Sequence, residues 1–476
     1  MKLRALLLCA LYLPFALPNS SHAQLNEADR KLARDILQQL IEINTTDSVG
    51  NVSTASEAMA KRLRNAGFAD SDIFIGGPND GKKNLVVRLR GTGPKKPVLL
   101  MGHLDVVEAH REDWTSDPFQ LVEKDGYFYG RGTEDMKASD AIYVLTLMRL
   151  KREGYKPDRD IILALTADEE GGKSNGVDWL LKNHRELVDA EFALNADGGG
   201  VITEKGKPFV VAMGASEKLY ADYELEVTNP GGHSSIPTQE NAIYRLSDAL
   251  VRLQHYKFSF ELNDVTRAFF TQTAKVQHGQ VASDMLAVTK TPPDQEAIDR
   301  LSQDPYYNAL MHTTCVATRV QAGHANNAQP QRATANVNCR ILPGHSRDEV
   351  LKTLTGVVND PKVSVSYVNN GMKVIMGDRE KTALPPVPLN PAVMDPLEKI
   401  SAEMWRGAPV VPEMGTGATD GVYTNPAGIP TYGISGLAID VDDDRSHGRD
   451  ERLPVESYYN GAVFYYRYLK AVAGGN

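Results

Sequence analysis

Beyond its first two dozen residues this sequence has no long apolar run, and taken as a whole it has no excess of positive charge. A membrane-spanning helix needs roughly 20 consecutive apolar residues, so no such helix is expected after the N-terminus. Lysine and arginine total 52 against 61 aspartates and glutamates, a formal net charge of −9. An acidic chain without a basic stripe is a poor nucleic-acid binder, because phosphate contacts need clustered Lys and Arg. Internal repeats and low-complexity tracts are also missing, which argues against a solenoid or a disordered tail. Cysteine is scarce, with only Cys9, Cys315 and Cys339.

What is present reads as a folded globular protein: 42% hydrophobic and 24% charged residues. Its 476 residues exceed one ordinary domain, so two are expected. The first residues stand apart. Lys2 and Arg4 precede an apolar run over 5–17, and a polar stretch ends in Ser21-His22-Ala23. That order matches a secretory signal peptide cut after Ala23, which implies a periplasmic or secreted protein. The alternative, an N-terminal membrane anchor, suits a longer apolar run. Removing 1–23 takes away two cations and no acid, moving the net charge from −9 to −11. Cys9 leaves with it. Cys315 and Cys339 lie in strand-like runs over 313–320 and 333–342, so they form either a cross-strand disulfide or two buried free thiols.

Apolar spacing predicts helices over 25–43, 53–66 and 138–152, with another starting at 177. Strand-like runs cover 85–87, 98–101, 161–165 and 192–194. Strands alternating with helices argue for an α/β fold with a mixed or parallel sheet. Near Met213 the texture changes to alternating strands and an amphipathic helix over 241–253. This stretch, 214–379, reads as a smaller α+β domain inserted into a larger one formed by 24–213 and 380–476. The prolines at 385, 386 and 388 mark the return.

Four polar clusters follow predicted strands, at the sheet edge where sites form in open α/β folds. His103 and Asp105 are two apart, so on an extended segment both point the same way; His103 can bind a metal while Asp105 holds its other ring nitrogen. Asp135 lies in a glycine-bearing turn at 130–137, as a candidate bridging carboxylate or a helix N-cap. Glu169 and Glu170 are adjacent and point to opposite sides, so one can bind metal while the other acts as general base. Asp197 follows the fourth strand, and His447 sits late in an acidic stretch. Two imidazoles and three carboxylates without cysteine suit Zn2+, with Mn2+ or Co2+ as substitutes. Taken singly, each cluster also reads as surface or structural polarity. Two further patterns fall short of their motifs. Gly172-Lys173-Ser174-Asn175-Gly176 fits the Gly-x-Ser-x-Gly of serine hydrolases, but its serine stands nine residues past Leu165 rather than on a tight elbow. The run 76–83 lacks the Ser or Thr that a phosphate loop needs.

In order along the chain, GHLDVV, GRGTEDMK, ADEEGG, NADGGG and SHG closely resemble the M20 family of zinc peptidases, most nearly its carboxypeptidase S-type branch. The resemblance implies a catalytic domain interrupted by a lid domain through which some members dimerise, which leaves a monomer and a homodimer through that domain both open. By motif, His103 and Asp197 would bind one zinc, Glu170 and His447 the other, and Asp135 would bridge the two. Asp105 would support His103, and Glu169 would be the general base. The bond after Asp135 is a candidate cis peptide. In the lid, His233 matches the histidine that helps hold the oxyanion, while Asn327 and Arg340 match residues that grip a substrate carboxylate. Two positions depart from the pattern: Ala328-Gln329 precede Pro330 where an apolar pair is usual, and Asp197 stands where several members carry Glu.

The resemblance implies a metallopeptidase, either carboxypeptidase or dipeptidase, acting on small peptides. The alternatives are an N-acyl-amino-acid amidohydrolase and a non-catalytic binding protein of the same fold. Expressed in full, the chain is expected to be processed to an N-terminal Gln24, and mass spectrometry of the exported protein checks this. An intact residue 1 on exported protein would remove the signal-peptide reading.

Overall fold

The computed structural model describes residues 25–369 and 371–475; the expected signal segment, 1–23, lies outside them. Ten strands form one mixed sheet. Its centre is parallel, with Arg159–Thr166, Lys95–His103, Phe192–Asn195 and Thr431–Gly433 side by side in that order. Successive side chains of a strand point to opposite faces. Val98 and Leu100 accordingly enter the core beneath the helices Glu27–Glu42, Lys137–Arg152 and Val455–Ala473. Leu99 and Met101 enter a second apolar cluster with Val177 and Leu180 of the helix Gly176–Asn183. Both faces are covered, which is why the central strands read as unbroken apolar runs.

Antiparallel strands extend the sheet. Asn84–Leu89 and Ile73–Gly76 lie beyond Arg159–Thr166. On the other side Lys207–Glu217 and Gly200–Glu204 follow Thr431–Gly433, and Val410–Gly415 and Ala438–Asp440 join them in parallel. The helix expected over 25–43 forms as Glu27–Glu42. The Asn26 side chain caps it by accepting from the Asp29 amide, and Ala33, Ile36, Leu37, Leu40 and Ile41 make its buried face. Each large side chain so buried contributes roughly 1.5–3 kcal/mol.

A second, antiparallel sheet runs Thr314–Ala322, Arg332–Ile341, Leu219–Thr228, Val363–Asn369, Met372–Lys373. Alternate residues Ala221, Tyr223, Leu225 and Val227 form its core with the helices Ala242–His255 and Arg347–Val358. The stretch 214–379 in fact serves two cores. The helices Asp264–Thr273, Gly279–Val288, Gln295–Leu301 and Pro305–Met311 place Phe270, Met285, Leu301 and Leu310 in the core of the larger sheet. Lys218 is buried at this junction and donates to the carbonyls of Ala309 and His312 at 2.8 and 2.7 Å. Burial, helped by nearby Arg340, lowers its pKa to about 7. Among the described residues no helix is long and apolar enough to cross a membrane.

Cys315 and Cys339 are directly opposed across two antiparallel strands and are joined by a disulfide. It closes a loop of 24 positions, for which chain-entropy arguments give about 3 kcal/mol of stabilisation. Replacing both cysteines with alanine is expected to lower the denaturation midpoint of the smaller sheet, read by near-UV circular dichroism in denaturant. An unchanged midpoint would mean that the disulfide does not hold the edge strand.

Candidate metal centre

Register brings the clusters together. His103 pairs with Thr166, and Met101 with Asn195. His103, Asp105, the acidic turn 168–170 and Asp197 therefore leave three adjacent strands at one edge. Room there is tight: a Cβ on Gly102 would lie 2.1 Å from Asp140 Oδ1, so no side chain fits immediately before His103.

Two groups of donors form around Asp135: His103 with Asp197, and Glu170 with His447. Asp135 Oδ1 lies 3.1 Å from His103 Nε2, and its Oδ2 lies 2.9 Å from His447 Nε2. Glu170 is 3.0 Å from the same His447 nitrogen, and Asp197 Oδ1 is 3.8 Å from His103 Nε2. His103 is buried, whereas His447 is half-exposed. The peptide Asp135–Met136 is cis. Glu169 borders the same space, a cavity of about 290 Å³ lined also by Asp135, Glu170, Asp197 and His447.

The electrostatics are those of crowded like charge. Burial works to lower the His103 pKa, but Asp135 and Asp197 outweigh it and hold the ring well above its ordinary value. Bonds to Asp135 and Glu170 lift His447 to about 10. Asp135 is held below the usual carboxylate range, because the two imidazoles outweigh its burial. Glu169 is pushed up to about 9 by burial, with Asp197, Asp420 and Glu170 adding repulsion against the opposing pull of His103. The donors fit a metal. His103 Nε2 and Asp135 Oδ1 are buried and face each other at 3.1 Å outside good hydrogen-bond geometry. A divalent cation would take both as ligands while offsetting the carboxylates.

Neighbouring groups hold the donors. His103 Nδ1 contacts the main-chain carbonyl of Asp105 at 3.0 Å. The Asp105 carboxylate is 3.8 Å from that nitrogen and instead accepts from the Glu169 and Glu170 amides, at 3.3 and 3.0 Å. Asp168 adopts a left-handed φ of 60° and pairs with Lys82 at 2.5 Å. A Cβ on Gly172 would lie 1.8 Å from the Asp168 carboxyl carbon, so this turn needs glycine there. Lys82, from the run set aside as a failed phosphate loop, thus clamps the acidic turn.

Sequence reasoning missed several acids. Asp420 is buried and accepts from Asn175 Nδ2 at 2.6 Å and Thr166 Oγ1 at 3.3 Å; burial raises it to about 7. Glu413 lines the cavity and is raised to about 7 by burial alone. Glu217 also lines it and accepts from the Thr419 amide and hydroxyl. A lone glutamate inside the apolar run 410–414 was the available signal for Glu413. Nothing local distinguishes the others.

The three lid residues lie on the smaller substructure. His233 pairs with Ala328 in a two-residue ladder, and the Ser234 amide donates to the Asn327 carbonyl at 3.0 Å, so His233 and Asn327 are neighbours. His233 is exposed and its Nδ1 contacts Ser235 Oγ. Arg340 stands opposite Tyr220 in register, its guanidinium 4.7 Å from that ring's centre.

Known proteins resemble this chain in sequence and in fold. The sequence profile described as "Peptidase family M20/M25/M40" matches residues 99–471. A probable carboxypeptidase S-like 2 of Dictyostelium discoideum is 29% identical over 391 residues, covering 79% of this chain and 71% of the relative. The N-fatty-acyl-amino acid synthase/hydrolase PM20D1 of Xenopus tropicalis is 30% identical over 384 residues, covering 79% and 72%. In fold, an M20 family metallo-carboxypeptidase of Sulfolobus solfataricus superposes with a TM-score of 0.67 over 93% of this chain and 99% of that one, at 16% identity. With its two donor groups at the sheet edge and a profile match through nearly all of both substructures, this chain belongs to peptidase family M20/M25/M40 and is a hydrolase of the metallopeptidase type.

Proposed function

We propose that this chain is a two-zinc hydrolase that cleaves the amide bond beside a free C-terminal carboxylate in small peptides, as a carboxypeptidase or dipeptidase. The observation that carries the reading is the pair of donor groups sharing Asp135, with the Glu169 carboxyl on the same cavity. His103 and Asp197 would hold one ion, Glu170 and His447 the other, and Asp135 would serve both. The oxygen and nitrogen donor set suits Zn2+, with Mn2+ or Co2+ as substitutes. Bound ions supply Lewis-acid polarisation of a carbonyl and a lowered pKa for water.

Glu169 is the general base, taking a proton from water and passing it to the leaving amine. A carboxyl that burial pushes upward is suited to hold that proton between the two transfers. Asp105 acts through its neighbours, since its carboxylate takes the Glu169 and Glu170 amides and fixes their turn. His233 would donate to the oxyanion, and Arg340 with Asn327 would hold the substrate carboxylate, for which a guanidinium fork is suited. Those roles need the smaller sheet to close on the larger one or a second copy to supply His233. The edge strand Thr314–Ala322, with Val316 and Val320 open to solvent, supports a homodimer through the smaller sheet. The N-terminal sequence supports export to the periplasm or beyond.

A second reading, an N-acyl-amino-acid hydrolase, is favoured by the relatives named N-fatty-acyl-amino acid synthase/hydrolase at 26–30% identity. The bond chemistry and the free carboxylate are shared; the group on the amine differs.

Glu169→Gln is expected to keep Zn2+ while kcat falls roughly 10²–10⁴-fold; turnover at the wild-type rate would remove Glu169 as base. Arg340→Ala is expected to raise KM roughly 10–100-fold with little change in kcat, and an unmoved KM would end the carboxylate-anchor role. Substrate class is settled by incubating the zinc-loaded protein with free dipeptides, N-blocked dipeptides, longer peptides and N-acyl amino acids, with products read by mass spectrometry. Release of C-terminal residues from blocked or long peptides is the expected carboxypeptidase outcome. Cleavage of N-acyl amino acids alone would replace the peptidase reading with the second one.

A further inference from the structure

Sheet register accounts for His103, Glu170 and Asp197, which follow directly from adjacent parallel strands. It does not account for Asp135 and His447. Both lie on irregular segments outside every strand of the main sheet, although Asp135 belongs to both donor groups. Two contacts join their segments: the Glu134 carboxylate accepts from the Arg445 amide at 2.7 Å, and one buried ion pair reaches both turns. Glu451 is fully buried. Its Oε1 accepts from the amides of Glu134, Asp135 and Gly132 at 2.7, 3.1 and 3.1 Å. Its Oε2 accepts from the Gly132 amide at 3.0 Å and from an Arg131 Nη at 2.7 Å. The other Arg131 Nη donates to the carbonyls of Gly448 and His447 at 2.9 and 3.4 Å. The guanidinium sits 5.1 Å from the Trp114 ring centre, and the Gly130 amide donates to the Glu451 carbonyl.

We propose that Arg131 and Glu451 are a positioning pair for the metal centre. Glu451 wraps the Asp135 turn around its carboxylate, and Arg131 ties that turn to the carbonyls of the His447 turn, so the pair sets the spacing of the two ligands. The inference rests on the reading of Asp135 and His447 as metal ligands. Fold stability alone is a weak reason for the pair, because apolar side chains commonly replace buried ion pairs without loss. Three separate amides gathered on one oxygen, and two carbonyls of the His447 turn on one nitrogen, specify geometry instead. Partners of this kind behind metal ligands typically change metal affinity or activity roughly 10–100-fold when removed.

The test compares the full mature protein with its Glu451→Gln and Arg131→Lys variants. Zn2+ affinity is read by chelator competition, ligand geometry by the visible spectrum of the Co2+ form, and turnover on any substrate the wild type cleaves; melting of the metal-free forms is followed in parallel. The expected result for Glu451→Gln is a roughly 10–100-fold weaker Zn2+ affinity, a displaced Co2+ spectrum, and a fall in kcat with KM little changed. A folded variant that melts earlier yet keeps wild-type Zn2+ affinity, spectrum and kcat would overturn the proposal. If Glu451→Gln does not fold, Arg131→Lys carries the test, since it keeps the charge and the amide bonds of Glu451 but withdraws the fork from Gly448. Wild-type Zn2+ affinity there, or unfolding of both variants, assigns the pair to the fold and overturns the proposal. A wild-type protein that binds no metal at all would instead fail the underlying metal-centre reading.

Discussion

Crowding of like charge at one edge of the main sheet is the constraint on which the rest of this molecule depends. Asp105, Asp135, Glu169, Glu170, Asp197, Glu217, Glu413 and Asp420 converge there, with His103 and His447 among them as bases. Burial resists the ionisation of carboxylates and their mutual repulsion adds to it, as the upward displacement of Glu169 and Asp420 records; Glu413 is raised by burial alone. The two imidazoles are driven the other way and take up positive charge. Such an assembly is costly unless cations complete it, and divalent ions do so while leaving the imidazoles neutral as ligands.

The scaffold meets this constraint in two ways. Parallel strands end at a common edge, so register places His103 and sets where the 168–170 turn and the Asp197 segment begin. Loops cannot do this, since backbone outside a ladder has no register. Here side chains replace the ladder: Asp105 holds the amides of the acidic turn, Lys82 clamps Asp168 in its left-handed conformation, and Glu451 with Arg131 gathers the Asp135 and His447 turns. Each device uses an ionised group to satisfy buried main-chain or charged atoms, which a neutral side chain would do less strongly.

The smaller sheet is tied to the larger one by more than its chain crossings. Four helices between 264 and 311 leave the small sheet's core and pack into the large one, and Lys218 caps the carbonyls where they return. His233, Asn327 and Arg340 lie on the other part of the insertion.

Much was legible in the sequence. Apolar periodicity alone marks the central strands and the helices that cover them, because a strand buried on both faces and an amphipathic helix leave unmistakable spacing. Among the candidate donors, His103, Glu170 and Asp197 stand shortly after apolar runs, which chain connectivity brings to one sheet edge, and the five motifs carried the family. Tertiary structure decided what spacing cannot encode. Glu451 reads as one more acid after the 440–444 run, and only the fold buries it against Arg131, 320 positions away. Asp420 and Glu217 take their meaning from strands distant in sequence. The main-chain carbonyl that Asp105 offers to His103, while its carboxylate turns to the amides of Glu169 and Glu170, is set by the turn geometry. The four helices of 264–311 were likewise hidden: short segments signal their existence weakly, and which core they join depends on surfaces that do not exist until both sheets have formed.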